Sequence, residues 1–123
     1  MPQITRLQHA AVTVPIAALD AVRDFYSGVL GLRETARPPG TAPHGIWYTF
    51  GSTELHVQAR DSVPSDRGEH HPALVIDDVA AWKNRMREHN IECKDLPTLF
   101  GRERFSVRDP AGNLVELMTE GDG

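Results

Sequence analysis

The chain has 123 residues, 40% hydrophobic and 24% charged, with a formal net charge of −4 and a pI near 5.8. That balance describes an ordinary globular protein with one core or two small ones, and its acidic excess argues against a nucleic-acid partner. One cysteine, Cys93, excludes an intramolecular disulfide. With no apolar run of membrane-spanning length and no charged-then-apolar leader, the expected address is cytoplasmic with no membrane partner.

Residues 6–14 read as a strand that stops at Pro15. From Ile16 to Leu30 the apolar positions Leu19, Val22, Phe25, Tyr26, Val29 and Leu30 recur at three and four, which predicts an amphipathic helix closed by Gly31. Leu32–Thr35 is expected to be a short strand and Arg37–Gly45, rich in Pro and Gly, a loop. Ile46–Phe50 and Glu54–Ala59 then form a hairpin about Gly51-Ser52-Thr53, and residues 61–68 link the two halves of the chain.

The second half repeats this order. Residues 71–76 form a strand, and Asp77-Asp78 precedes a helix over about Val79–His89, with Val79, Trp82, Met86 and His89 on its buried face and Asn90 closing it. Ile91–Lys94 is expected to be a short strand, 95–101 a loop, and Arg104–Arg108 with Leu114–Thr119 a hairpin about Asp109-Pro110-Ala111-Gly112-Asn113. Glu120–Gly123 forms a tail.

The chain is therefore a duplication. His9-Ala10-Ala11-Val12-Thr13-Val14 matches His71-Pro72-Ala73-Leu74-Val75-Ile76 at an offset of 62, and His56 matches Glu116 at an offset of 60. In a strand, alternate side chains share a face, so Glu54, His56 and Gln58 lie together, opposite Leu55, Val57 and Ala59. Glu116 likewise lies opposite Val115 and Leu117. Three imidazoles and a carboxylate at repeat-matched positions, His9, His56, His71 and Glu116, suit a divalent metal such as Zn, Ni, Fe, Mn or Co. Glu54 reads as a rim residue. His44 and His89 carry no expected role, and strand alternation with the repeat selects His71 over His70.

Five segments resemble the vicinal oxygen chelate superfamily, which spans glyoxalase I, extradiol dioxygenases and bleomycin-resistance proteins. They are Leu7-Gln8-His9, Phe25-Tyr26-Ser27-Gly28-Val29-Leu30-Gly31-Leu32, Leu55-His56-Val57, His71-Pro72-Ala73-Leu74 and Asp109–Leu117. The resemblance implies an α+β fold of tandem βαβββ modules forming a curved mixed sheet around a cavity. It covers about residues 5–119, implies a single domain over 1–123 with modules at about 5–60 and 69–119, and places metal ligands at His9, His56, His71 and Glu116. The bacterial glyoxalase I pattern of His, Glu, His, Glu differs at His56, which departs from the glutathione-dependent enzyme. Bleomycin-resistance proteins lack the metal set, so its presence argues against pure sequestration.

The expected activity is that of a small metal-dependent lyase or isomerase, moving a proton on a substrate held through two neighbouring oxygens by an enediolate-type route. Glu116 would act as base and then acid, Arg104 would meet a substrate carboxylate, and Trp47 would wall the cavity. An Fe(II) dioxygenase of the extradiol type and a small-molecule binding protein are the alternatives. A homodimer is expected because one pair of modules leaves strand edges to be completed. Cys93 is expected to take no part.

Overall fold

The computed structural model describes residues 1–41 and 44–121. Ala42 and Pro43, in the expected loop, and Asp122 and Gly123, in the expected tail, lie outside the described residues. The chain divides into two compact units, Met1–Val63 and Pro64–Gly123.

In the first unit, β1 (His9–Pro15) lies parallel to β4 (Thr53–Arg60), while β3 (Gly45–Phe50) and β2 (Arg33–Thr35) continue the sheet antiparallel, in the order β1-β4-β3-β2. The helix predicted over 16–30 exists but is composite. It is 3-10 over Ile16–Ala18, α over Leu19–Arg23 (α1) and π over Asp24–Val29. The wide turn shows in the Leu30 N–H bonding back to Phe25 and the Leu32 N–H to Tyr26, both 2.9 Å. Widening brings Phe25, Tyr26, Val29 and Leu30 all into the core, which a strict 3.6-residue turn would spread further round the helix. Gly31 follows at φ +69°, the left-handed closure its position predicted.

The second unit repeats the topology. Strand β5 (Ala73–Val75) is parallel to β8 (Leu114–Met118), followed by β7 (Arg102–Arg108) and β6 (Lys94–Leu99), in the order β5-β8-β7-β6. Helix α2 (Val79–Glu88) opens at Asp78, whose Oδ1 accepts the Ala81 N–H at 3.1 Å, and closes at Asn90, which takes φ +58°. Of its expected inner face, Met86 is fully buried and Val79 and Trp82 are half-buried, but His89 is exposed.

One strand is displaced from its expected place. Ile91 donates its N–H to Met86 and so belongs to the helix exit, and the strand runs over Lys94–Leu99, where a loop was expected. Pro97 lowers strand propensity, yet β6 pairs only with β7, so on this edge no ladder bond is lost. The ladder shifts register between Leu96 and Leu99, and a two-residue turn at Phe100 (φ +52°) and Gly101 (φ +74°) leads into β7.

The cores follow the expected alternation. Leu55, Val57 and Ala59 in β4, and Val115 and Leu117 in β8, are buried on one face. The registers make the duplication explicit: Ala11 pairs with His56 and Ala73 with Glu116. Each histidine that begins a half stands two residues before the residue paired with the matching donor.

Candidate functional site

In the first unit the pleat puts His56 on the face opposite the core. It is 5% exposed because two rings cover it. Trp47, its partner across the β3–β4 ladder, stacks flat at 3.8 Å between centroids with planes 3° apart, and His9 stacks on it at 4.2 Å and 16°. His56 Nε2 meets Glu54 Oε1 at 2.8 Å. That bond is the main reason the Glu54 carboxyl is held below the usual carboxylate range. His9 donates from Nδ1 to Gln8 Oε1 at 2.6 Å.

In the second unit Glu116 is 7% exposed, and a carboxylate so buried needs partners. Arg104 Nη1 donates to its Oε1 at 2.8 Å, and Arg104 is itself anchored by Nε on the Pro97 carbonyl at 2.8 Å. His71 Nε2 stands 3.0 Å from Glu116 Oε2, while its Nδ1–H donates to the Glu69 carbonyl at 2.6 Å. A carbonyl oxygen can only accept, so the Nδ1 proton is fixed. Ser106, opposite Glu116 in the ladder, is buried beside it.

The expected donors thus meet in two pairs, His9 with His56 and His71 with Glu116. Among the described residues, no group of three or more His, Cys, Asp or Glu side chains is placed to hold a metal ion. Glu54 emerges as the partner of His56, a contact its shared strand face allowed. Arg37, His44 and Arg60, together with Trp47, His56 and Gln58, line a cavity of about 240 Å³ in the first unit. His44 and the two arginines carried no expected role, because loop conformation decides where they reach.

The profile of the Glyoxalase/Bleomycin resistance protein/Dioxygenase superfamily matches residues 6–117. The chain belongs to this superfamily. No curated protein sequence matches it. Among solved structures, the glyoxalase-superfamily chain is similar to a glyoxalase family protein from Bacillus anthracis at 26% identity, covering 97% of this chain and 98% of that one with a TM-score of 0.86. It is also similar to lactoylglutathione lyase from Agrobacterium tumefaciens, at 25% identity, 96% of each chain and a TM-score of 0.74. The antibiotic-binding protein TnmS3 from a Streptomyces species shares the fold at 22% identity, 97% and 98% coverage and a TM-score of 0.71.

The donor chemistry of this glyoxalase-superfamily chain fits a divalent metal. The repeat-matched histidines share one feature: each ties Nδ1 to an oxygen one or two residues before it, the way an outer partner fixes the tautomer of a metal-binding imidazole. With its proton on Nδ1, a neutral His71 sets a bare nitrogen lone pair 3.0 Å from a carboxylate oxygen. Only a proton or a cation between the two relieves that contact.

Among the described residues no helix is long and apolar enough to cross a membrane.

Proposed function

We propose that this superfamily member is a metal-dependent lyase or isomerase of the glyoxalase kind, acting on a small molecule that offers two neighbouring oxygens. His9, His56, His71 and Glu116 would hold one divalent ion, Zn, Ni, Fe, Mn or Co. The observation that carries the reading is the buried Glu116 carboxylate, held by Arg104 Nη1 on one oxygen and meeting His71 Nε2 with the other. The bound ion would supply Lewis acidity, lowering the pKa of the C–H beside the chelated oxygens.

The chain's own residues do the rest. Glu116 takes the acidified proton through Oε2 and returns it to the neighbouring carbon, while Arg104 keeps Oε1 in place. Arg104 Nη2 makes no hydrogen bond among the described residues, so the same guanidinium can also meet a substrate carboxylate, for which its planar fork is suited. Trp47, laid flat on His56, holds that ring's orientation and forms an apolar wall. The protein would work as a homodimer whose partner completes the sheet edges. Light scattering at micromolar concentration that returned 13.6 kDa would remove the dimer from this reading.

Elemental analysis followed by titration of Zn, Ni, Mn and Fe(II) into metal-stripped protein tests the metal. Exchange of the C–H of a small α-hydroxyketone in deuterium oxide tests the proton transfer. Uptake of metal with exchange that fails in Glu116→Gln is the expected result. Oxygen consumption dependent on iron would transfer the chain to the dioxygenases, and tight ligand binding with no metal uptake would make it a binding protein.

A further inference from the structure

A folded chain rarely leaves a buried polar side chain without a partner, because the bonds it made to water when unfolded must be replaced. Among the described residues, the buried polar or charged ones are His56, Ser106, Asp109, Asn113 and Glu116. His56 meets Glu54, and Glu116 is held by Arg104 and His71. Asp109 accepts the backbone N–H groups of Ala111 and Asn113, and the side-chain oxygen of Asn113 accepts from Arg67. Ser106 differs. It is 5% exposed, and its hydroxyl makes no hydrogen bond among the described residues.

The ladder gives this hydroxyl a direction. Ser106 is paired directly with Glu116 between β7 and β8, and opposite residues send their side chains to the same face with Cβ atoms about 4.5–5.5 Å apart. Ser106 thus points to the side where Arg104 meets the carboxylate, away from Phe105 and Val107 in the core. The first half shows what else the position can hold. There Trp47 is paired with His56 as Ser106 is with Glu116, and its indole lies over the imidazole at 3.8 Å. An indole at 106 would cover Glu116 in the same way, whereas serine contributes one oxygen and little bulk. The carboxylate does not use that oxygen, since its own partners are Arg104 and His71. A hydroxyl donor is therefore left beside the group that carries the proton in the proposed reaction.

We infer that Ser106 is a ligand-contacting residue, its hydroxyl donating a hydrogen bond to the carbonyl oxygen of the bound small molecule. Its part in catalysis rests on the enzymatic reading above; the contact itself does not depend on metal. As Glu116 takes the proton, the C–H electron pair becomes the second bond of a C=C and the carbonyl π pair moves onto oxygen. Negative charge gathers on that oxygen, where a donor already in place needs no rearrangement. Return of a proton to the carbon reverses both shifts, so exchange at that carbon balances with no added reactant. The site thereby selects molecules whose carbonyl stands beside the acidic C–H.

The test uses the full chain and acetohydroxamate, a small neutral probe with a carbonyl beside a second oxygen. It is titrated into chelator-stripped protein while ¹H–¹⁵N spectra follow the backbone signals of Ser106 and Glu116. Saturable movement of both is expected. Ser106→Ala should weaken binding by about three- to tenfold, the loss of one neutral hydrogen bond, and Ser106→Thr, which keeps the hydroxyl, should restore it. N-ethylhydroxylamine, which lacks the carbonyl, should bind wild type more weakly and should not distinguish it from Ser106→Ala. Zinc affinity should be the same in Ser106→Ala and wild type. In metal-loaded protein, C–H exchange of hydroxyacetone should fall by at least about tenfold in kcat, with KM changed less, because a bond to a charged oxygen is stronger than one to a neutral carbonyl. Dispersion of the spectra shows that each variant is folded. Equal acetohydroxamate binding by wild type and Ser106→Ala, or no saturable binding by wild type, overturns the inference. So does equal binding of the two probes by wild type, which needs no variant. Weakened probe binding in Ser106→Ala, in a chain that takes up no metal, keeps the contact and removes the enzyme. Metal uptake and exchange that Ser106→Ala leaves unchanged do the reverse.

Discussion

The two halves share topology and ladder register, yet they surround their matched donors with opposite chemistry. His56 lies in an aromatic sandwich between Trp47 and His9, while Glu116 lies in an ionic clamp between Arg104 and His71. The ladder neighbours show why. Trp47 faces His56 where Ser106 faces Glu116, and Gly45 stands where Arg104 does. A buried carboxylate must be paired with charge, whereas an imidazole can be covered by flat apolar surface at little desolvation cost. Duplication thus supplied one scaffold twice, and under the proposed function the ladder neighbours divide the labour: the first half would present nitrogen donors alone, the second a histidine beside a proton-carrying oxygen.

This division is upset most severely at Glu116. Glu116→Gln removes the proton acceptor but keeps an amide oxygen, so turnover should fall by about 10²- to 10⁴-fold while part of the metal affinity stays. His71→Ala and His9→Ala should instead act on affinity, by more than the roughly 10- to 100-fold typical of outer partners. Calorimetry on each variant beside its rate measurement separates the two patterns, and equal loss of both quantities in all three would erase the division of labour.

Arg104→Gln tests whether the clamp matters beyond charge balance. It should lower metal affinity or turnover by about 10- to 100-fold, with the larger effect at low salt. A wild-type rate in this variant would mean Glu116 is positioned without it.

The helices of the two halves also differ in their start, a contrast that bears on stability alone. The first has no side-chain cap at Pro15 or Ala18, while α2 is capped by Asp78. Asp78→Ala should cost about 1 kcal/mol, read from denaturant midpoints, with metal binding unchanged.

A smaller effect concerns acid. The Glu54 carboxyl is depressed mainly by its bond to His56. A depressed carboxyl stabilises the fold above its unfolded pKa, about 4.3, and that contribution is lost as pH falls through the lower folded value. Glu54→Gln should therefore remove that contribution at neutral pH and flatten the acid limb below about pH 4.3, so that variant and wild type converge in acid. An unchanged acid limb would show that the bond carries no linkage. The smallest expected effect is at Cys93. Burial pushes its thiol pKa up, which disfavours the reactive thiolate, so Cys93→Ser should alter neither metal uptake nor rate.

Much of this architecture is legible in the letters. Period-two alternation identified the buried faces of β4 and β8, Asp78 and Asn90 marked the ends of α2, and the offset between His9 and His71 exposed the repeat, because these signals are local. Edge pairing was not legible. Pro97 speaks against a strand, and only the presence of β7 alongside makes Lys94–Leu99 one. The π turn at Asp24–Val29 was equally hidden, since its wide bonds are favoured by the burial of four side chains and not by helix propensity. At the candidate site, the order of residues was enough to say which types recur and on which strand face. Their partners were settled by folding: Arg104 turns to Glu116, and Trp47 lies flat on His56. Those contacts join residues distant along the chain, and their energy depends on distance, burial and charge, quantities that exist only once the chain has folded.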